Sequence, residues 1–102
     1  MTEIFAYYNL KSDVNIEEYK QWSYSVDQPT CKSMDGCESF EVFLVKRVAN
    51  GQVFYDVTEK IIATSWERWH EILKSPEFDQ VNREWPNYGD AESLVITECE
   101  KV

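Results

Sequence analysis

The chain has 102 residues, 43% of them apolar and 15% aromatic, which suits one folded domain with one core. Lys plus Arg number 10 against 19 Asp plus Glu, a net charge of −9 with no basic run, so nucleic acid and anionic membrane surfaces are excluded as partners. No apolar run is long enough to cross a bilayer, and the opening MTEIFAYYN lacks the parts of a secretion signal, so a cytoplasmic protein is expected.

Residues 3–9 (EIFAYYN) predict a strand, being β-branched and aromatic with few breakers. A helix follows Asn15, which forms a capping-box-like pair with Glu18. Ile16, Tyr19, Trp22, Ser23 and Val26 recur at helical spacing, and Pro29 is expected to stop the helix. The stretch DQPTCKSMDGC (27–37) then reads as a connection, with Asp35-Gly36 as its turn. Strands are predicted at 39–48 (SFEVFLVKRV) and 52–63 (QVFYDVTEKIIA), joined by an Asn50-Gly51 hairpin turn. A two-residue turn there sets Val48 opposite Val53, Lys46 opposite Tyr55, Leu44 opposite Val57, Val42 opposite Glu59 and Phe40 opposite Ile61. Thr64 and Glu67 predict the start of a second helix carrying Trp66, Trp69, His70 and Leu73 on one side. Ser75-Pro76 restarts a helix with Phe78, Val81 and Trp85 on its apolar face, and 91–102 (AESLVITECEKV) is a last strand.

Strand, helix, strand, strand, helix, strand is the ferredoxin-like βαββαβ order, an α+β fold in one domain over residues 1–102. Right-handed crossovers put both helices on one face of a four-stranded antiparallel sheet. The other face still carries Phe43, Val45, Phe54 and Ile62. A second copy of the sheet is the simplest cover, so a homodimer with sheets packed face to face is expected.

Glu59 stands out because the register puts a carboxylate on an otherwise apolar face. Two readings stand: a proton donor or acceptor lining a cavity, or an exposed edge residue. Lys46 is the other polar intrusion, near the hairpin end, where it can snorkel. His70, the sole histidine, is either an acid/base in a cleft between the second helix and the sheet or a flank of the Trp66/Trp69/Leu73 stripe. The stripe reading needs fewer assumptions, since no partner for His70 is evident. Trp22, Trp66, Trp69 and Trp85 fall at core-facing spacing, and Tyr7, Tyr19, Tyr24 and Tyr55 present apolar rings with polar tips. Such residues suit an apolar cleft for a flat aromatic ligand. The candidate ligand contacts are Tyr7, Trp22, Asp27, Tyr55, Trp66 and Trp69, with Asp27 placed to orient a ligand N–H; Glu59 and His70 are the candidate acid/base groups. Cys31, Cys37 and Cys99 are read as free thiols without a nearby base, and the spacing of Cys31 and Cys37 does not fit a zinc knuckle. No metal or other cofactor is expected.

The element order resembles the dimeric α/β-barrel superfamily, which includes small cofactor-independent monooxygenases and polyketide or aromatic cyclases. The opening strand with its tyrosines, WSYSVDQPTCKSM (22–34), FEVFLVKRV (40–48) and YDVTEKI (55–61) resemble the REDY-like HapK family, small proteins encoded with prodiginine biosynthesis. That resemblance implies a secondary-metabolite setting and a pyrrolic intermediate as ligand. One departure matters: monooxygenase-like members commonly carry a histidine three residues before a Ser-Pro or similar pair. Here that position, before Ser75-Pro76, is Ile72. Two functional readings remain. One is cofactor-free acid/base chemistry on an aromatic or pyrrolic intermediate; the other is a binding module that holds such a compound or supports a partner biosynthetic enzyme.

Overall fold

The computed structural model describes residues 1–51 and 55–102. Alternation governs β1 (Thr2–Tyr8), whose Ile4, Ala6 and Tyr8 are buried while Glu3, Phe5 and Tyr7 face the other way. It pairs antiparallel with both β3 (Val57–Ala63) and β4 (Val95–Cys99), and β2 (Cys37–Leu44) pairs with β3. The resulting sheet has the order β2-β3-β1-β4, the ferredoxin-like arrangement expected. Phe40 opposite Ile61, Val42 opposite Glu59 and Leu44 opposite Val57 reproduce the inferred register.

That ladder is shorter than predicted. It ends at Leu44 opposite Val57, followed by a hydrogen bond from the Val45 N–H to the Asp56 carbonyl. Side chains draw the chain aside at this point: the Asp56 N–H donates to Asn9 Oδ1 at 3.1 Å, and Asp56 Oδ2 accepts the Leu10 N–H at 2.9 Å. Tyr55 does not stand opposite Lys46 on the helix face. Its ring packs 5.4 Å from that of Tyr7, which belongs to the open face. The expected pairing of Val48 with Val53, and Phe54 on the open face, lie outside the described residues.

The first helix also departs from expectation. α1 (Ile16–Trp22) begins at Asn15, whose Oδ1 accepts the Glu18 N–H at 3.1 Å. It does not stop near Pro29. A π-helical turn over Ser23–Asp27 carries it directly into α2 (Gln28–Ser33). The Gln28 N–H bonds back to the Ser23 carbonyl, five residues earlier, and Pro29 falls in the first turn of α2, where its missing N–H is tolerated. Cys31 is therefore a buried helix residue rather than part of a loop. Gly36, at a φ of 100°, makes the turn into β2 expected at Asp35-Gly36.

α3 (Trp66–Lys74) is capped by Ser65, one residue later than predicted; its Oγ accepts the Arg68 N–H at 3.0 Å. After Ser75 the chain makes a 3-10 turn at Pro76–Phe78, then α4 (Asp79–Glu84), then a second 3-10 turn at Trp85–Asn87. A further 3-10 turn at Ala91–Ser93 delays the last strand to Val95. The core joins Tyr19, Trp22, Cys31, Trp69, Ile72, Phe78 and Val81 of the helical layer to Ile4, Tyr8, Phe40, Val57 and Ile61 of the sheet. On the opposite face Phe43 is 50% exposed and Val95 40%. Among the described residues no helix is long and apolar enough to cross a membrane.

Candidate functional site

A cavity of about 170 Å³ lies between the helical layer and the sheet. Its walls are mostly apolar, with Ala6, Phe40 and Ile61 from the sheet and Leu73, Phe78, Val81 and Trp85 from the helices. Among the described residues five polar side chains line it: Tyr8 from β1, Glu59 from β3, Asp27 from the end of the π turn, Trp69 from α3 and Asn82 from α4, whose amide donates to the Leu73 carbonyl at 2.8 Å. Strand parity explains two of them, because Tyr8 follows Ile4 and Ala6 on the buried face and Glu59 lies between Val57 and Ile61.

Two polar atoms here lack a hydrogen-bond partner. Asp27 and Trp69 are each 3% exposed, and neither Asp27 Oδ2 nor Trp69 Nε1 is bonded to any other group. Buried polar atoms are normally satisfied, so an orphan acceptor and an orphan donor on one cavity are informative. The other Asp27 oxygen accepts a long bond from the Cys31 thiol, at 3.8 Å. Burial holds the Asp27 carboxyl up to about 7, against the pull of that thiol. Burial also pushes the Glu59 carboxyl well above the carboxylate range, the charge of Asp27 adds to the rise, and the hydroxyl of Tyr8 opposes it. The two acids are close enough to titrate as a pair. Tyr8 donates to Glu59 Oε2 at 3.3 Å and meets the Tyr19 hydroxyl at 2.6 Å, so Glu59 is held from the sheet side.

Of the candidate residues, the structure brings Glu59, Asp27 and Trp69 together. The others lie elsewhere. Trp22 is buried with its indole N–H donated to Glu84 Oε1 at 2.8 Å, and its ring packs on Tyr88. Tyr7 and Tyr55 pack on each other away from the cavity. Trp66 and His70 form a ring pair on α3, 4.4 Å between centroids, and His70 Nδ1 lies 2.9 Å from the Trp66 carbonyl of its own helix. Neither lines the cavity. Burial pushes the Cys31 thiol up, out of the nucleophilic range. Ile72, at the position of the histidine of the monooxygenase-like proteins, is wholly buried. Among the described residues no group of three or more His, Cys, Asp or Glu is placed to hold a metal ion.

Tyr8 was absent from the sequence-derived site. Its signal was available in the 4-6-8 parity of β1, which sets its phenol on the face that carries Glu59.

A family model described as REDY-like protein HapK matches residues 2–99. The chain belongs to the HapK family. Among solved structures, HapK from Hahella chejuensis superposes with a TM-score of 0.77 at 18% identity, over 100% of this chain and 95% of that one. A protein from Arabidopsis thaliana gives a TM-score of 0.80 at 11% identity, covering 100% and 96%. A protein from Bacteroides fragilis, described as dimeric with a ferredoxin-like fold, gives 0.70 at 12% identity, covering 98% and 95%. At these identities the structural likeness establishes the fold shared with the HapK family, not its chemistry. No curated protein sequence is a significant match to the chain.

Proposed function

We propose that the protein binds or processes a small aromatic or pyrrolic intermediate in the cavity between its helices and sheet, as a cytoplasmic homodimer serving a prodiginine-type secondary-metabolite pathway. Membership of the HapK family supports the accessory role in secondary metabolism. The observation that carries the binding reading is the unpartnered pair, Asp27 Oδ2 and Trp69 Nε1, on one largely apolar cavity. A flat ring fills the apolar part, a ring N–H satisfies Asp27, and an acceptor on the ligand takes the Trp69 N–H. An apolar cavity of roughly 150 Å³ holds a benzene ring, so the size suits one ring.

The chemistry open to this site is proton transfer. A carboxyl kept neutral by burial can give a proton to a bound ring, and its ionised neighbour can take one. Glu59 and Asp27 fill these roles, and Tyr8 holds Glu59 in place. His70 is bonded to its own helix, so no role in the cavity is assigned to it. The dimer is supported by the half-exposed apolar sheet face around Phe43.

A second reading, binding or delivery to a partner enzyme without chemistry, is favoured by the absence of Ser, Thr, Cys, His and Lys among the described cavity-lining residues. One experiment separates the two. Pyrrole-2-carboxaldehyde and related single-ring pyrroles are incubated with the protein, and both melting temperature and product are followed. Binding raises the melting temperature in either case. Product that vanishes in Glu59→Gln but not in His70→Ala supports acid/base processing; a shift without product supports carriage. No shift with any pyrrole, or a shift that survives in Asp27→Asn combined with Trp69→Phe, contradicts the cavity as the site.

A further inference from the structure

Among the described residues the cavity lining carries two carboxyl groups and no Lys, Arg or His to answer them. The groups that act on the pair are Tyr8 of β1, on Glu59, and Cys31 of α2, on Asp27, with Tyr19 of α1 bonded to Tyr8, and none of the three can carry a positive charge. Buried carboxylates elsewhere are paired with cations, hydrogen bonded or neutralised by a proton. Here burial raises both carboxyls, which favours their protonated forms, and one oxygen of Asp27 remains unbonded. The indole N–H of Trp69, also unbonded and 3% exposed, opens onto the same space and calls for an acceptor on the ligand beside its cationic nitrogen. Phe40, Phe78 and Trp85 add aromatic rings to the remaining walls. A flat cation between such rings and two acids is bound by ring quadrupole and charge together. The net charge of −9 draws cations toward the protein over longer range.

We propose that the cavity selects a small, flat, protonated nitrogen base that also carries a hydrogen-bond acceptor, a one-ring amidine or basic nitrogen heterocycle, and that its entry expels a proton from the Asp27/Glu59 pair. The inference rests on the cavity being the ligand site and narrows the pyrrolic class to compounds that also carry a basic nitrogen. The balance is simple. The base enters with its proton, one carboxyl becomes a carboxylate that bonds the ligand N–H, and the proton it loses passes to solvent. An organic cation fits better than a metal ion, because the described residues supply no set of three metal-binding side chains here.

The test compares a benzamidine bearing an acceptor, para-hydroxybenzamidine, a cation, with the corresponding benzamide, its neutral isostere, by titration calorimetry in two buffers of different ionisation enthalpy. The pH is held at about 6, where an ordinary carboxyl is ionised, and below the value of about 7 to which burial raises Asp27. The inference predicts the amidine at least about tenfold tighter, with roughly one proton released per ligand. Asp27→Asn lowers both the preference and the proton release, and Glu59→Gln serves as the second variant if the first does not fold. Equal binding of the amide, or amidine binding with no proton released, overturns this inference and leaves the cavity reading standing. Binding of neither compound overturns both.

Discussion

The Tyr8 hydroxyl lies 2.6 Å from the Tyr19 hydroxyl, a bond between β1 and α1 in the middle of the core. Because Tyr8 also donates to Glu59, the Tyr19 hydroxyl donates to Tyr8, and two buried phenols and the half-buried Glu59 form one chain. Removing one hydroxyl strands its neighbour. Tyr8→Phe and Tyr19→Phe are each expected to lower stability by about 1–3 kcal/mol, with the rings and their packing retained. The double variant should lose less than the sum, because the second change removes a group already unpaired. Urea unfolding of the four proteins checks this; strict additivity would show that the two hydroxyls do not support each other.

The acid pair makes stability depend on pH. Asp27 is ionised in the unfolded chain above its ordinary 3.8, but folding holds its proton up to about 7. Between these values the folded state binds more protons than the unfolded state, so this contribution is full below the ordinary value and is lost as pH rises toward 7. Glu59 acts in the same direction. Asp27→Asn removes the dependence, so its stability relative to the parent should improve as pH rises from acid to mildly alkaline. Chemical unfolding at several pH values measures this. A difference that stays flat or runs the other way contradicts a buried, proton-holding Asp27.

The open sheet face carries a separate expectation. Phe43 is half exposed there and plays no part in the cavity. Phe43→Glu should leave the fold intact by circular dichroism and shift sedimentation from dimer to monomer, since a charge in an apolar interface is costly. A parent protein that sediments as single copies at working concentration removes the dimer from the account.

Much of this architecture was legible in the residues. The Asn50-Gly51 turn implies the register that sets Val42 against Glu59, and that pairing persists even though the ladder ends at Leu44 and Val57. Period alone also marks Trp69 as facing inward. The π turn was not legible: Pro29 ordinarily ends a helix, and no spacing of apolar residues signals a bond spanning five residues from Ser23 to Gln28. That turn is what sets Asp27 against the sheet, so its convergence with Glu59 and Trp69 could not be read from any single element. Tyr55 was misplaced for a different reason. Asn9 and Asp56 bond across the strand ends, a side-chain interaction that alternation does not anticipate.

The cavity is tested most directly by the indole N–H resonances of the four tryptophans in a nitrogen-15 NMR titration with pyrrole-2-carboxaldehyde. The account predicts that the Trp69 resonance moves markedly as its unbonded N–H finds an acceptor, while that of Trp22, already bonded to Glu84, stays in place. Saturable binding with an unmoved Trp69 resonance, or no binding at all, would contradict it.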